Sequence, residues 1–308
     1  MIVIFIVLLS LIYFYMVQCD HKVQDTYNED YSKLYDVIWY DKKRYKSEVL
    51  YISKNVDTLQ PKTILDLGCG TGNHINLWKD IWPDSVTTGM DLSIDQIYRA
   101  RSKNPGLTIV QGNYLDRGAW RNESYDVIAC MYGAGQYTNK TQKLIQNVYS
   151  WLKPGGTFIF HGINPRYICC ECDQTASNTD LPIRSDKNGH CNVLYPNLVY
   201  SSWWTSSIFS NWVRYNETFY PIKSNSWPSD WDLSKYVGNN VPLGMKKHSK
   251  DKKITTNGHS MYLLPPSRIS IMGRRIGFTK AIINPVRCIE HFNDSRQGRE
   301  EYFIFFKK

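Results

Sequence analysis

Residues 64–73 read I-L-D-L-G-C-G-T-G-N. The apolar run at 64–67, interrupted only by Asp66, predicts a short strand buried on both faces of a parallel sheet. The three glycines that follow allow the backbone to turn tightly and to approach a ligand closely, and a helix whose free N–H groups face that ligand is predicted to begin at Asn73. The sequence therefore predicts a strand, a glycine-rich turn and a helix at a ligand site.

The spacing of these glycines disfavours a dinucleotide ligand. The dinucleotide fingerprint requires a glycine three residues after the second one, and Asn73 stands there. Asp91 ends a second predicted strand, at 86–90, where its carboxylate can accept hydrogen bonds from two ribose hydroxyls. The pattern predicts a ribose-containing ligand other than NAD.

Three more strands are predicted at 107–111, 125–131 and 157–161. With these elements the chain resembles the class I S-adenosylmethionine-dependent methyltransferases. The resemblance covers residues 27–163, continues more weakly from 266 to the C-terminus, and is carried in order by D-L-G-C-G-T-G (66–72), G-M-D-L-S (89–93), Q-G-N-Y-L-D (111–116), Y-D-V-I-A-C-M-Y (125–132) and L-K-P-G-G (152–156).

The resemblance implies an α/β fold with a doubly wound, seven-stranded sheet. We expect an N-terminal hydrophobic helix at 1–19, then lid helices and the cofactor-binding half at 20–163. Aromatic and β-branched runs at 198–209 and 212–220 read as a hairpin, which predicts a β-rich insertion after strand 5, at 164–264. The resemblance implies that this insertion caps the substrate. Residues 265–308 are expected to supply the last helix and strands.

S-adenosylmethionine is the cofactor that the resemblance implies. Asp66 is expected near its amino group, Asp91 at the ribose diol and Asn113 at the adenine amino group. The full set of cofactor-binding residues implied by the motifs is Asp66, Gly68, Gly70, Gly72, Asp91, Leu92, Asn113, Tyr114, Met131 and Tyr132.

Within the class, Y-D-x-I-W-Y-D-K-x-R-Y at 35–45 resembles enzymes that methylate small molecules, such as amino-sugar and glycine-type N-methyltransferases. The expected function is methyl transfer to a small-molecule amine or hydroxyl. Tyr137 and His161 are the candidate catalytic residues, although a structural His161 is an equal alternative. Acceptor contacts are expected from Tyr35, Tyr40, Tyr45, Trp203 and Trp204, and no metal site is expected.

Residues 2–17 carry no charge and would span roughly 24 Å as a helix. No Lys or Arg precedes this run and several follow it, which predicts a single-pass membrane anchor with the catalytic domain in the cytosol. A cleaved signal peptide, with a secreted or lumenal domain, is the alternative. Sequons at Asn122, Asn139, Asn216 and Asn293 do not decide between them.

The net charge of +9 is concentrated in lysines and arginines between residues 246 and 275, which a solvated loop or an anionic membrane surface would explain. Nucleic acid is a less favoured partner, because no N-P-P-Y or D-P-P-Y tetrad follows the fourth strand. Cys69 and Cys130 are expected to be buried packing residues. The sequence leaves open whether Cys169, Cys170, Cys172 and Cys191 bind metal, form disulfides or stay free.

Two alternatives to methyl transfer to a small-molecule acceptor remain. One is a membrane-tethered methyltransferase of a lipid or isoprenoid headgroup, which would use the same cofactor site. The other is a non-catalytic interaction module that keeps the fold. The sequence does not indicate an oligomeric state.

Overall fold

The computed structural model describes residues 26–40, 42–57, 60–165, 183–185, 190–195, 198–206, 212–221, 254–255, 259–286 and 301–308. For the strands between residues 183 and 262, only the side chains of Val213 and of residues 260–262 are described. The predicted N-terminal anchor and the cysteines at 169, 170 and 172 also lie outside it.

A seven-stranded sheet organises the chain, in the order β12-β13-β5-β4-β1-β2-β3. Strands β1 to β5 pair in parallel, whereas β13 pairs antiparallel with both β5 and β12. Their bounds are β1 Thr63–Leu67, β2 Val86–Asp91, β3 Thr108–Gln111, β4 Tyr125–Cys130, β5 Leu152–Ile163, β12 Lys280–Pro285 and β13 Glu301–Lys307. The predicted doubly wound α/β sheet is confirmed.

Helices alternate with the parallel strands along the chain, as expected when crossover connections join such strands. Two of them precede the first strand, as the apolar spacing predicts. The six helices of the described residues are α1 Glu29–Trp39, α2 Lys42–Asn55, α3 Asn73–Ile81, α4 Ile94–Lys103, α5 Thr141–Trp151 and α6 Pro266–Ile276.

The core forms two layers because successive residues of a strand face opposite sides of the sheet. On β1, Leu65 and Leu67 pack into the layer that contains α5 and α6. Ile64 packs into the other layer, against α2 and α3. The predicted packing role of Cys69 and Cys130 is confirmed, since both are buried free thiols.

A second, antiparallel sheet follows β5 and forms the predicted β-rich insertion. Its path is β10-β9-β8-β7-β6, and β11 also pairs with β9. The predicted hairpin is the β8–β9 pair. The bounds are β6 Ile183–Ser185, β7 His190–Tyr195, β8 Leu198–Ser206, β9 Trp212–Pro221, β10 Ile254–Thr255 and β11 His259–Tyr262.

One strand boundary differs from the prediction. The L-K-P-G-G motif was expected to be a turn before a strand at 157, but β5 begins at Leu152. The pairing with β4 jumps from Tyr125↔Leu152 to Val127↔Thr157, so the motif is a bulge inside the strand. Gly155 supplies the required positive φ of 76°, and its N–H donates to the carbonyl oxygen of Lys308.

No helix in the described part of the chain is long and apolar enough to cross a bilayer.

Candidate functional site

A cleft opens where the carboxyl ends of β1, β2 and β4 meet, the position at which doubly wound folds bind ligands. Its cavity volume is about 160 Å³. The glycine-rich turn after β1 forms its floor, and the segments after β2, β3 and β4 form its sides. Tyrosines from the N-terminal segment and from the loop after β4 close it.

The glycine-rich turn is tied to the end of β2. The N–H groups of Gly68 and Cys69 both donate to the carbonyl oxygen of Met90, at 2.7 and 3.1 Å. The N–H of Gly70 donates to Oδ2 of Asp91 at 2.8 Å, while Oδ1 of Asp91 accepts from the Ser93 N–H at 2.9 Å. The Leu92 N–H also bonds this carboxylate. A carboxylate has about four acceptor sites, so Asp91 keeps acceptor capacity for a ligand hydroxyl.

Two glycines of this turn have a positive φ, and one of them, Gly68, is also required by space. A Cβ on Gly68 would lie 2.5 Å from the Cβ of Ala134, across the cleft floor. Gly70 has a φ of 54°, and nothing lies closer than 3.7 Å to the position a Cβ would take. The backbone at Gly70 is therefore open to the cleft, as a closely approaching ligand needs.

The loop after β4 forms the opposite wall. Tyr132 has a φ of 50°, which is strained for a non-glycine residue. Its N–H donates to Nδ1 of His161 at 3.2 Å, and the neighbouring Gly133 N–H donates to the His161 carbonyl oxygen at 3.2 Å. One residue of β5 therefore fixes two successive peptides of this wall.

Tyrosines close the cleft from the N-terminal side. Tyr27 and Tyr35 both line it, and the hydroxyls of Tyr27 and Tyr137 are 2.7 Å apart. Burial, reinforced by neighbouring tyrosines, raises the pKa of Tyr27 well above its ordinary value. The pair is therefore a neutral hydrogen-bonding unit near neutral pH.

Helix α1 is held over the glycine-rich turn by Asp36. Its Oδ1 accepts from the Thr71 hydroxyl at 2.5 Å and from the Asn73 amide at 3.0 Å. Its Oδ2 accepts from Nζ of Lys103, on α4, at 2.7 Å. One carboxylate thus joins α1 to both elements that form the cleft floor.

Comparison with known proteins agrees with this geometry. Residues 64–156 match the family model for a methyltransferase domain. Over these residues the chain is similar to methyltransferase domains.

The similar proteins are methyltransferases of several kinds. Over 139 residues, 43% of this chain, it is 30% identical to dTDP-3-amino-3,4,6-trideoxy-alpha-D-glucopyranose N,N-dimethyltransferase of Streptomyces venezuelae. It is also 25% identical over 146 residues, 47% of this chain, to a fatty-acid O-methyltransferase of Mycolicibacterium smegmatis. The matched regions span 57% and 53% of these two relatives, so the chain matches about half the length of each.

Solved structures share the fold over most of the chain. The CcbJ methyltransferase from Streptomyces caelestis superposes with a TM-score of 0.61 at 14% identity, covering 91% of this chain and 97% of that one. Streptomyces venezuelae DesVI gives a TM-score of 0.60 at 16% identity, covering 90% and 98%. At these identities the likeness shows the fold alone.

The cleft brings together most of the predicted cofactor residues. Those that line it are Gly68, Gly70, Asp91, Leu92, Asn113, Tyr114, Met131 and Tyr132. Two predicted residues lie outside the lining. Gly72 is packed against α4, where a Cβ would meet the Asn104 amide nitrogen at 2.6 Å. Asp66 lies beneath the turn, and its side chain is buried.

Asp66 has an unusual environment. Within the described part of the chain, neither carboxylate oxygen has a hydrogen-bond partner of acceptable geometry. Burial raises its pKa to about 6, although His74 and Trp78 oppose this shift. A buried, unpaired carboxylate is costly and would gain from a cationic group of a ligand. The predicted role of Asp66 beside an amino group fits this observation.

The predicted catalytic and substrate residues divide between the cleft and its surroundings. Tyr35 and Tyr137 line the cleft. Tyr45 lies behind the wall, stacked on Tyr132 with ring centroids 4.8 Å apart, and Tyr40 is 39% exposed near it. Trp203 and Trp204 lie on β8, but their side chains are outside the described part.

His161 is held in a buried charged network behind Tyr132 and is not part of the lining. Its Nε2 lies 3.0 Å from Oε2 of Glu301, so Nε2 donates while Nδ1 accepts from Tyr132. Arg44 donates to both Glu301 and Glu48, at 2.5 and 3.0 Å. Burial opposes ionisation of Glu301, yet Arg44 and His161 lower its pKa to about 2. The geometry gives His161 a positioning role.

The same network reaches the side chain of Tyr132. Its hydroxyl donates to Oε1 of Glu48 at 3.3 Å, and the Arg44 guanidinium lies 4.8 Å from its ring centroid. The ligating atoms of Glu48, His161 and Glu301 are close enough to hold a metal. Because Arg44 already bridges the two carboxylates, we interpret the cluster as an ion-pair network.

Sequence reasoning missed three polar side chains of the cleft, namely Tyr27, Gln96 and Thr138. Gln96 stands in the first turn of α4, five residues after Asp91, and that spacing could have identified it. Tyr27 gives no such signal, because its partner Tyr137 is 110 residues away in the chain.

Proposed function

We propose that the protein binds S-adenosylmethionine in this cleft and transfers its methyl group to a small-molecule acceptor. The observation that carries the proposal is the floor of the cleft, where the open Gly70 backbone and the hydrogen-bonded carboxylate of Asp91 meet. When bound, the cofactor supplies a methyl group activated by its sulfonium. The protein aligns the reactants and excludes water.

The donors and acceptors of the cleft fit this cofactor. Asp91 is suited to accept from the ribose hydroxyls. Asn113 lines the cleft, and its Oδ1 already accepts from the Leu115 N–H at 2.9 Å, which orients the side chain and leaves a lone pair for the adenine amino group. Asp66 would balance a ligand ammonium. Isothermal titration calorimetry tests this with residues 20–308: S-adenosylhomocysteine should bind, and Asp91→Ala should weaken binding by about 1–3 kcal/mol.

An amine acceptor fits the cleft better than a hydroxyl. Along the described lining, the ionisable groups are Asp91 and five tyrosines. Burial raises the pKa of Tyr27, Tyr35 and Tyr114, so these phenols cannot act as bases near neutral pH. An amine needs only to be unprotonated, whereas a hydroxyl needs a base. The similarity to an amino-sugar N,N-dimethyltransferase supports the same acceptor chemistry.

The pH dependence of turnover distinguishes these acceptors. Amines and alcohols are screened with cofactor labelled in the methyl group. With an amine acceptor, the midpoint of kcat/KM against pH should move with the pKa of the amine when homologous amines are compared. A midpoint that is the same for every acceptor would indicate a base in the protein and contradict the proposal.

We also propose that residues 2–17 anchor the protein in a membrane, with the methyltransferase domain on the cytosolic side. The uncharged run and the basic residues after it support this orientation. An anchored enzyme could act on lipid or isoprenoid headgroups, and the similarity to a fatty-acid O-methyltransferase favours including such lipids in the acceptor screen.

A further inference from the structure

Gln96 is a buried polar side chain with unused hydrogen-bonding capacity. It is 1% exposed and lines the cleft. Within the described part of the chain, neither Oε1 nor Nε2 of its amide has a hydrogen-bond partner. Its backbone N–H is satisfied by the Ser93 hydroxyl at 3.2 Å, which fixes the first turn of α4 and therefore the place of the side chain. An amide left in this state costs free energy that a bound ligand would recover.

The position of Gln96 indicates which part of a ligand it meets. Its Oε1 lies 3.7 Å from the point where a Cβ on Gly70 would stand, and the Gly70 N–H donates to Asp91. Gln96, Gly70 and Asp91 therefore surround the same part of the cleft floor. Tyr35 approaches the same point to 4.0 Å from the other side.

The chemistry of Gln96 complements that of Asp91. An ionised carboxylate only accepts hydrogen bonds, so Asp91 can take the protons of hydroxyl groups but cannot donate to their oxygens. The amide of Gln96 has two N–H donors and one acceptor. A vicinal diol, whose hydroxyls both donate and accept, would satisfy the two side chains together.

We infer that Gln96 binds the ribose diol of the nucleoside ligand together with Asp91, donating to a hydroxyl oxygen through Nε2. This inference rests on the proposed function, because S-adenosylmethionine supplies the diol. It adds a ribose-binding residue to those that the motifs imply. It also explains why an amide that lacks a partner is buried in the cleft wall.

A matched pair of variants tests the inference without measuring activity. Gln136 is also 1% exposed, but its Nε2 donates to the Ile163 carbonyl oxygen at 2.9 Å and its Oε1 accepts from the Ile163 N–H at 2.8 Å. In the ligand-free protein, Gln96→Met should raise the melting temperature, because an unpaired amide is removed. Gln136→Met should lower it, because two hydrogen bonds are lost.

Calorimetry then compares S-adenosylhomocysteine with its 2′-deoxy and 3′-deoxy analogues. Gln96→Met should weaken binding of the parent ligand roughly tenfold, the loss expected for a buried hydrogen bond. With the analogue that lacks the contacted hydroxyl, the wild-type protein and Gln96→Met should bind equally. Equal affinity of both proteins for the parent ligand would overturn the inference. The inference would also be overturned if Gln96→Met weakened binding of all three ligands equally. The loss would then come from a changed shape of the cleft and not from a lost hydrogen bond to a ribose hydroxyl.

These outcomes are separate from failure of the proposed function. If the wild-type protein did not bind S-adenosylhomocysteine, the proposed function would fall and this inference with it. If the wild type binds and the Gln96 variant binds as well, only the inference fails.

Discussion

Replacing His161 by Gln and by Asn tests the roles of its two ring nitrogens one at a time. The amide of Asn reaches the position of Nδ1, which accepts from the Tyr132 N–H, and the amide of Gln reaches that of Nε2, which donates to Glu301. His161→Gln therefore removes the acceptor of the Tyr132 N–H, whereas His161→Asn keeps it. His161→Asn loses the contact with Glu301, but Glu301 retains its ion pair with Arg44.

The expected magnitudes follow from burial and strain. His161 is 1% exposed, so an N–H that loses its partner there costs about 1–3 kcal/mol. Tyr132 also holds a left-handed φ of 50°, a conformation that costs about 1–3 kcal/mol and persists only where the surroundings impose it. We expect His161→Gln to lower the free energy of unfolding by about 2 kcal/mol and to weaken cofactor binding, because Tyr132 moves out of the cleft wall.

Urea denaturation and amide hydrogen exchange measure these effects. Exchange at the Tyr132 amide should accelerate in His161→Gln only. The Gly133 amide, which donates to the backbone carbonyl of His161, should stay protected in both variants and is the internal control. Asn is the smaller replacement and leaves the larger void, so a purely packing role for His161 predicts that His161→Asn is the less stable variant. That order of stability would refute the reasoning.

The remaining predictions concern four other features of the chain. The pKa of Asp66 is raised by burial from 3.8 to about 6, so its ionisation destabilises the folded state as pH rises through this window. Urea denaturation should show Asp66→Asn more stable than wild type by about 3 kcal/mol at pH 7.5 and equal to it below pH 4. Asp36→Ala should release S-adenosylhomocysteine faster in stopped-flow measurements, because α1 loses its bonds to Thr71 and Lys103, whereas the exposed Glu29→Ala, on the same helix, should not. Tyr137→Phe should lower kcat less than tenfold for an amine acceptor; a larger loss would assign Tyr137 a part in proton transfer. In sealed microsomes the domain should be digested by added protease and carry no glycan at Asn216, and protection or glycosylation would reverse the proposed topology.

The parts of the site that the sequence predicts are local in the chain. The glycine-rich turn, Asp91 and Asn113 lie at or within two residues of the end of a strand, and parallel strands bring their carboxyl ends to one edge of the sheet. Short-range sequence patterns were therefore enough to predict which residues form the floor of the cleft. It was also enough to recognise the β8–β9 hairpin, because two aromatic runs are separated by a short polar break.

The parts that the sequence did not predict depend on distant pairs. Arg44 and Glu301 are 257 residues apart. Arg44 lies in the 35–45 motif, but Glu301 lies in no motif, so the pair could not be predicted. His161 was noticed as a histidine at the end of a strand, but its role depends on Glu301, 140 residues away. Pattern reasoning could name the residue and could not choose between catalysis and support, because that choice depends on which atoms of the ring are already bonded.

The cost of the charged network argues that it serves the cleft more than the stability of the fold. Burying Arg44, Glu48 and Glu301 requires removing their hydration, and well-packed apolar side chains often give equal or greater stability. Apolar replacements would not hold Tyr132 in place. In the charged network, His161 accepts a hydrogen bond from the Tyr132 N–H and Glu48 accepts one from its hydroxyl. Apolar side chains at positions 44, 48 and 301 together would then leave the protein stable while binding cofactor more weakly. Loss of stability without loss of affinity would show instead that the charges support the fold.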